Sequence, residues 1–351
     1  MTVWGRRMKL KSVKMENVTV FEKVAIDFCN GINVFIGENA TGKTHMLKIL
    51  YSACRSNRMD TDFGQKIVRT MMPDDFRISR LVDRRKGNHI AKIRVHAAED
   101  DRRTDAHLEI TFDKRTKKSA ADVRGKEKWE KEFKDNSSIF IPAKEILSHS
   151  YKLAAATSVD NVRFDDTYID IINSAKIDIT MGKNPTARAA MLKRIEKMTD
   201  GQVVYDGDKD EFYLKKGSSK QEFSLVAEGI KKMGLLWLLA KNGTLEKGSI
   251  LFWDEPEANV NPAYLSTVAE LLLELYRNGV QIFLSTHNYF LAKYIDIKKA
   301  REDLVSYYSF YFQPEGGGVC CETSDQFTLL ENNPITKTYL QIYRDEIGVK
   351  L

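Results

Sequence analysis

The chain has 351 residues, 42% hydrophobic and 30% charged, with 55 basic and 49 acidic side chains for a net charge of +6. That is the make-up of a globular protein with room for a large core, and its mild positive charge falls short of a dedicated nucleic-acid binder. Leu235–Ala240, the longest apolar run, is too short to span a bilayer, and four cysteines, Cys320 and Cys321 adjacent, show neither disulfide-framework nor metal-ligand spacing.

No apolar stretch follows Arg6 and Arg7, so a secretory signal is not expected, and the thiols fit a reducing cytoplasm. Residues 9–15 and 24–28 alternate as two strands around a turn at Glu16-Asn17. Ile32–Ile36 is short, apolar and β-branched, as a buried strand is. It runs into Gly37-Glu38-Asn39-Ala40-Thr41-Gly42-Lys43-Thr44, which fits G-x-x-x-x-G-K-[ST] at every fixed position. Met46, Leu47, Leu50 and Tyr51 then recur at helical spacing. In that strand–loop–helix setting the glycines let successive N–H groups point inward, and the helix N-terminus adds its positive dipole end. Lys43 is placed to reach the β- and γ-phosphates of a nucleotide, and Thr44 to ligate Mg²⁺.

Residues 89–96 and 107–112 alternate as half-buried antiparallel strands, with basic clusters at Arg84-Arg85-Lys86 and Lys114–Lys118 beside them. Without interleaved aromatics these clusters read first as solvated loops and second as phosphate contacts. Lys126–Lys134 reads as an exposed helix or loop, and Ser138–Ile141 as a buried strand stopped by Pro142. Residues 145–200 are mainly helical, most clearly 187–197. Short strands follow at 203–205, 211–214 and 222–225, then a strong helix after Gly229.

Ile250-Leu251-Phe252-Trp253 ends in Asp254 and Glu255, a buried strand delivering two carboxylates to its C-terminal edge, where parallel α/β sheets bind ligands. Asp254 suits a Mg²⁺-holding role and Glu255 a general base for the attacking water. Val280–Thr286 is a second such strand, and His287 at its end can hydrogen-bond a γ-phosphate oxygen. A strand over 305–313, a turn at Gly316–Gly318, another strand and a helix near 336–347 complete the pattern. Phe21 is either an adenine-stacking ring or a core residue.

Taken together, GENATGKT, Phe252–Glu257 and Ser285-Thr286-His287-Asn288 resemble the ABC-type ATPase heads. The resemblance is closest to their soluble branch: SMC- and RecF-like repair ATPases, OLD-family proteins and ATPase subunits of bacterial anti-phage systems such as PARIS (AriA-like), Septu and retron-associated sets. It implies an α/β fold, a single ABC-type ATPase domain over 1–351. Residues 1–142 and 248–351 would form a nucleotide-binding core lobe on a mixed sheet, with a β-rich antiparallel insertion near 60–135. Residues 143–247 would form a helical lobe carrying the signature helix.

The resemblance also places a Q-loop at Ser138–Glu145, where Lys144 or Glu145 stands in for the family's glutamine near the metal. The signature falls at Val226–Ile230, with Glu228 and Gly229 at the helix start and Ala227 replacing the expected serine. The D-loop falls at Ala258–Pro262, with Asn261. It implies ATP and Mg²⁺, ATP hydrolysis to ADP and phosphate at a rate left open between fast turnover and a slow switch, and a homodimer or higher homo-oligomer in which each site is completed by the neighbour. ATP-dependent dimerisation would control a separate effector, a nuclease in anti-phage defence. The alternatives are a repair ATPase acting directly on DNA and, third, a transporter's nucleotide-binding subunit, which the β-rich stretch and altered signature disfavour. No Toprim-like nuclease domain is expected after His287.

Overall fold

The computed structural model describes residues 7–56, 62–83, 87–100, 104–153, 164–179, 186–313 and 318–348; the cluster Arg84-Arg85-Lys86 and Gly316-Gly317 lie outside them. The chain opens with β1 (Lys9–Val18), β2 (Phe21–Asp27), β3 (Ile32–Gly37), α1 (Lys43–Arg55) and α2 (Phe63–Met71). Next come β4 (Ile90–Ala98), β5 (Asp105–Asp113), β6 (Asp122–Arg124), α3 (Lys126–Phe133) and β7 (Ser138–Ile141). The middle holds α4 (Asp166–Ala175), α5 (Thr186–Thr199), β8 (Gln202–Asp206), β9 (Glu211–Lys216), β10 (Ser219–Glu222) and α6 (Glu228–Lys241). Then follow β11 (Ile250–Asp254), α7 (Leu265–Arg277), β12 (Gln281–Ser285), α8 (Tyr289–Lys298), β13 (Val305–Phe312), β14 (Val319–Ser324) and α9 (Pro334–Ile347).

A mixed sheet of order β14-β13-β3-β12-β11-β7 forms the centre, parallel except for β14. Its strands read as unbroken apolar runs because both faces are covered. Alternation sorts the side chains by face. Val34, Ile36, Leu251, Trp253, Ile282 and Leu284 join one core with α6, α7 and α8. Phe35, Phe140, Phe252, Phe283 and Tyr308 point the other way, into a core shared with α1 and the antiparallel sheet. That second sheet has the order β2-β1-β4-β5-β6, and β10-β9-β8 makes a small third one.

Three local expectations change. The first turn is at Thr19-Val20, not Glu16-Asn17, and the β1–β2 ladder runs on to Val18↔Phe21. Asn17 takes a left-handed φ of 54° within the strand, and its Nδ2 donates to the Ile90 carbonyl at 3.0 Å, so the kink is absorbed by side-chain bonding and not by a turn. The third short strand is Ser219–Glu222, and Phe223–Leu225 is a 3₁₀ turn. α3 is not simply exposed: Trp129 and Phe133, four apart on one helix face, are fully buried, and Trp129 Nε1 donates to Ala53 O at 2.8 Å.

Candidate functional site

Parallel strands bring their C-terminal ends to one edge, and the residues of interest gather there. β3 ends at Gly37, whose φ is 144°; an added Cβ would stand 2.2 Å from the Phe310 carbonyl oxygen of β13. Ala40 (φ 64°) and Gly42 (φ 89°) take left-handed conformations that curl the loop. α1 then begins with Gly42 at its N-cap and no side chain capping it. Its first backbone N–H groups, which lack intrahelical partners, are therefore left for an anion.

Lys43 is 5% exposed. Its Nζ donates to the loop's own carbonyls, Gly37 O at 3.0 Å and Glu38 O at 2.7 Å. Burial pushes the ammonium down to about 8, against the pull of Asp254, Glu255 and Glu38. Thr44 Oγ1 donates to the Asp254 carboxylate, 3.1 Å from each oxygen. Asp254 sits opposite Ser285 in the β11–β12 register, and the Ser285 hydroxyl donates to it as well. A hydroxyl and a carboxylate beside an ammonium-bearing loop are the hard oxygen donors that suit Mg²⁺ and a polyphosphate.

Glu255 follows with a left-handed φ of 47°. Its N–H donates to Ser285 O at 3.1 Å, and its carboxylate is 40% exposed, 3.8 Å from His287 Nε2. Burial and then the Lys43 charge hold the His287 imidazole below its usual range, opposed by Asp254. Behind these groups lies Glu257, to which no role attaches in the sequence. It accepts from Thr286 Oγ1 at 2.7 Å and from His287 N at 3.1 Å, fixing the turn that presents the imidazole. Burial raises its carboxyl, with those two bonds opposing. Lys232 of α6 also reaches this region, and nothing in the adjacent Lys231-Lys232 pair distinguishes it from a solvated lysine by sequence.

A cleft of about 410 Å³ opens beside the loop, lined by Glu38, Asn39, His287, Tyr289, Phe290 and Tyr339 of α9. The Tyr289 and Tyr339 rings stack there, centroids 4.1 Å apart.

The remaining predicted residues lie elsewhere. Ala227 is the N-cap residue of α6 and makes no side-chain cap bond. Glu228 accepts from Asn259 Nδ2. Gly229 lets the 259–260 backbone approach: a Cβ there would stand 2.5 Å from Asn259 O. Ala227, Gly229 and Asn261 line a separate cleft of about 210 Å³ that contains none of Gly37–Thr44. Asn261 caps the turn after it, accepting from Ala263 N at 3.0 Å. Glu145 is likewise engaged locally. Its oxygens accept from Leu147 N, Ser148 N and Ser148 Oγ, and no described contact joins it to Thr44 or Asp254. Lys144 is exposed. Phe21 is fully buried, edge-to-face with Phe310 at 5.8 Å, so it is a core ring with no face free for adenine.

Residues 32–293 match the family model described as "AAA domain, putative AbiEii toxin, Type IV TA system". The chain belongs to this family. The fold is that of an SMC head. It superposes with a TM-score of 0.58 on the SmcHead bound to the C-winged helix domain of ScpA, at 12% identity over 89% of this chain and 97% of that one. With the Smc head domain carrying an extended coiled coil, bound to the C-terminal domain of ScpA and derived from Pyrococcus furiosus, the TM-score is 0.54 at 10% identity over 97% and 100%.

Local similarity joins this P-loop ATPase to DNA replication and repair protein RecF. The Lactococcus lactis subsp. cremoris protein is 29% identical over 77 residues, 22% of this chain and 21% of the relative. The Oenococcus oeni protein is 42% identical over 57 residues, 16% and 15% respectively. The chain thus spans about a fifth of the RecF sequences it matches. No helix among the described residues is long and apolar enough to cross a membrane.

Proposed function

We propose that this AAA-family protein binds ATP with Mg²⁺ at Gly37–Thr44 and hydrolyses it to ADP and phosphate. The observation that carries the reading is the convergence, at one sheet edge, of the Thr44 hydroxyl on both oxygens of Asp254, 3.1 Å away, with Lys43 and Glu255 beside them. Thr44 and Asp254 hold Mg²⁺, which when bound neutralises charge on the phosphates. Lys43 exchanges its loop carbonyls for phosphate oxygens. Glu255 accepts the proton of the attacking water, and the neutral His287 imidazole donates a hydrogen bond toward the departing phosphate.

The site is shared between two copies. Ala227, Gly229 and Asn261 sit on their own cleft, away from the same chain's loop, with the α6 N-terminus lacking a side-chain cap. A second copy would bring that helix start against the bound nucleotide, in the way the segment 143–247 acts as a signature lobe. The missing serine hydroxyl at Ala227 weakens the clamp but leaves the backbone N–H groups and dipole to bind. ATP then holds two copies together and hydrolysis releases them.

The output is control of a separate partner, a nuclease effector in bacterial defence. A second reading, an ATPase acting directly on DNA, draws on the RecF similarity. Glu255→Gln should bind ATP, hydrolyse it far more slowly and accumulate as a dimer in ATP; Lys43→Ala should lose binding. Parental turnover by Glu255→Gln would overturn the choice of base. ATP-dependent DNA binding with a steep salt dependence selects the second reading.

A further inference from the structure

Lys232 lies three residues beyond Gly229 on α6 and is 4% exposed. Its ammonium reaches the far side of the Asp254–Glu255 corner and donates to Glu255 O at 2.9 Å and to Ala258 O at 3.0 Å. Burial pushes it down to about 8, while the carboxylates of Glu257, Glu255, Asp254 and Glu228 pull it up. A buried ammonium bonded mainly to carbonyls is an expensive choice where an apolar side chain would pack more cheaply.

What it holds is the strained residue. A non-glycine at φ 47° is strained and persists only where its surroundings over-determine it. Glu255 is held on one side through its N–H to Ser285 O of β12, and on the other through its carbonyl, which also accepts from Ala258 N at 3.0 Å. Lys232 closes that second side. The same helix meets the 259–260 backbone at Gly229. α6 and the loop from Glu255 to Val260 therefore form one body, with the Lys232 ammonium at its centre.

We propose that Lys232 is the positioning residue for Glu255: it fixes the corner that aims the carboxylate, and it ties that corner to the helix whose N-terminus meets the neighbouring copy's nucleotide. The proposal rests on the reading of Glu255 as general base and of Gly229 as part of the shared clamp. It makes each copy's own hydrolytic corner answer to what the start of its α6 touches in the other copy. Lys232 contacts no reacting atom and acts only through backbone carbonyls.

The test compares Lys232→Met and Lys232→Arg with the parent, each also combined with Glu255→Gln. Lys232→Met should keep its ATP affinity within about twofold and lose about 10- to 100-fold in kcat, the scale of a misplaced catalytic group. Lys232→Arg, which keeps charge and donors, should recover part of that loss. On the Glu255→Gln background Lys232→Met should cost nothing further, because the two act as one unit. If Lys232→Met does not fold, as judged by thermal melting, Lys232→Gln carries the same comparison.

Parental kcat in Lys232→Met, an equal proportional loss on both backgrounds, or a loss of ATP affinity matching the loss of kcat each overturns the proposal. Glu255→Gln separates the two claims. If it is slow while Lys232→Met turns over normally, the base stands and the positioning role falls. If Glu255→Gln itself turns over at the parental rate, both fall.

Discussion

The Thr44 hydroxyl lies 3.1 Å from both carboxylate oxygens of Asp254, across 210 residues of sequence. The two groups are side by side because α1 starts where β3 ends, and β11 lies one strand beyond β12 from β3. If this pair is the metal-holding element, removing Mg²⁺ should weaken ATP binding to the parent but not to Asp254→Asn. Titration with a fluorescent ATP analogue, with Mg²⁺ and with excess EDTA, reads the difference. An undiminished Mg²⁺ response in Asp254→Asn removes Asp254 from the site.

Lys43 sets a pH dependence. Burial holds its ammonium down to about 8, and phosphate oxygens would raise it, so binding above pH 8 takes up a proton. ATP affinity should be level below pH 8 and fall by up to about tenfold per pH unit above it, until the bound-state value is reached. The His287 imidazole, held below its usual range by burial and the Lys43 charge, stays neutral across that interval. In Lys43→Arg, whose guanidinium does not deprotonate, the same curve should be flat. Parallel slopes in the two proteins would assign the effect elsewhere.

Gly229→Ala should separate nucleotide binding from self-association. The new Cβ would press on Asn259 O at 2.5 Å, and a backbone atom cannot rotate away. The α6 N-terminus must shift while the distant loop keeps its ligand. On the Glu255→Gln background, sedimentation in ATP should show the dimer reduced at least severalfold with monomer affinity for ATP unchanged. Equal dimerisation with and without the substitution would mean that α6 does not meet the second copy.

A buried ionic network joins α1 and α2 to α4. Lys66 Nζ lies 2.7 Å from both Asp166 and Asp170, Lys48 bonds Asp165, and Tyr51 OH donates to Asp170 at 2.6 Å. Burial raises the Asp170 carboxyl, but Lys66 and Arg55 more than offset it and hold its pKa below the ordinary value. Lys66→Met leaves Asp166 only Arg69, at 3.0 Å, and Asp170 only Tyr51 and the more distant Arg55, and should cost up to about 3 kcal/mol in urea unfolding at neutral pH, most of it recovered by adding Asp166→Asn and Asp170→Asn. A cost below about 1 kcal/mol would show the network to be effectively solvated.

The sequence made the sheet edge visible because fixed spacing and apolar runs are local signals. Gly37–Thr44 and the Ile250–Asp254 strand each carry their own context, so their structural placement could be read without the other. Contacts made between distant segments left no such mark. Nothing near residue 232 signals that its ammonium will find carbonyls 23 and 26 residues away. Trp129 and Phe133 are hidden in a charged stretch, where composition outweighs a single i,i+4 pair. Glu145 shows the converse: a carboxylate near the right strand spends its oxygens on the adjacent turn, a local bond that spacing cannot distinguish from a ligand.

The corner between β1 and β2 has a mechanical consequence. Its Phe21 and Val20 side chains fill the space that a Cβ on Gly42 would occupy, at 2.7–2.8 Å. Its backbone is anchored by Thr19 N to Leu81 O at 2.7 Å and by Val319 N to Val20 O at 3.3 Å. The antiparallel sheet thus ends in a wedge seated against Gly42 of the phosphate loop. No side chain fits at Gly42 unless this corner moves, so the packing of the antiparallel sheet's end fixes glycine at the start of α1.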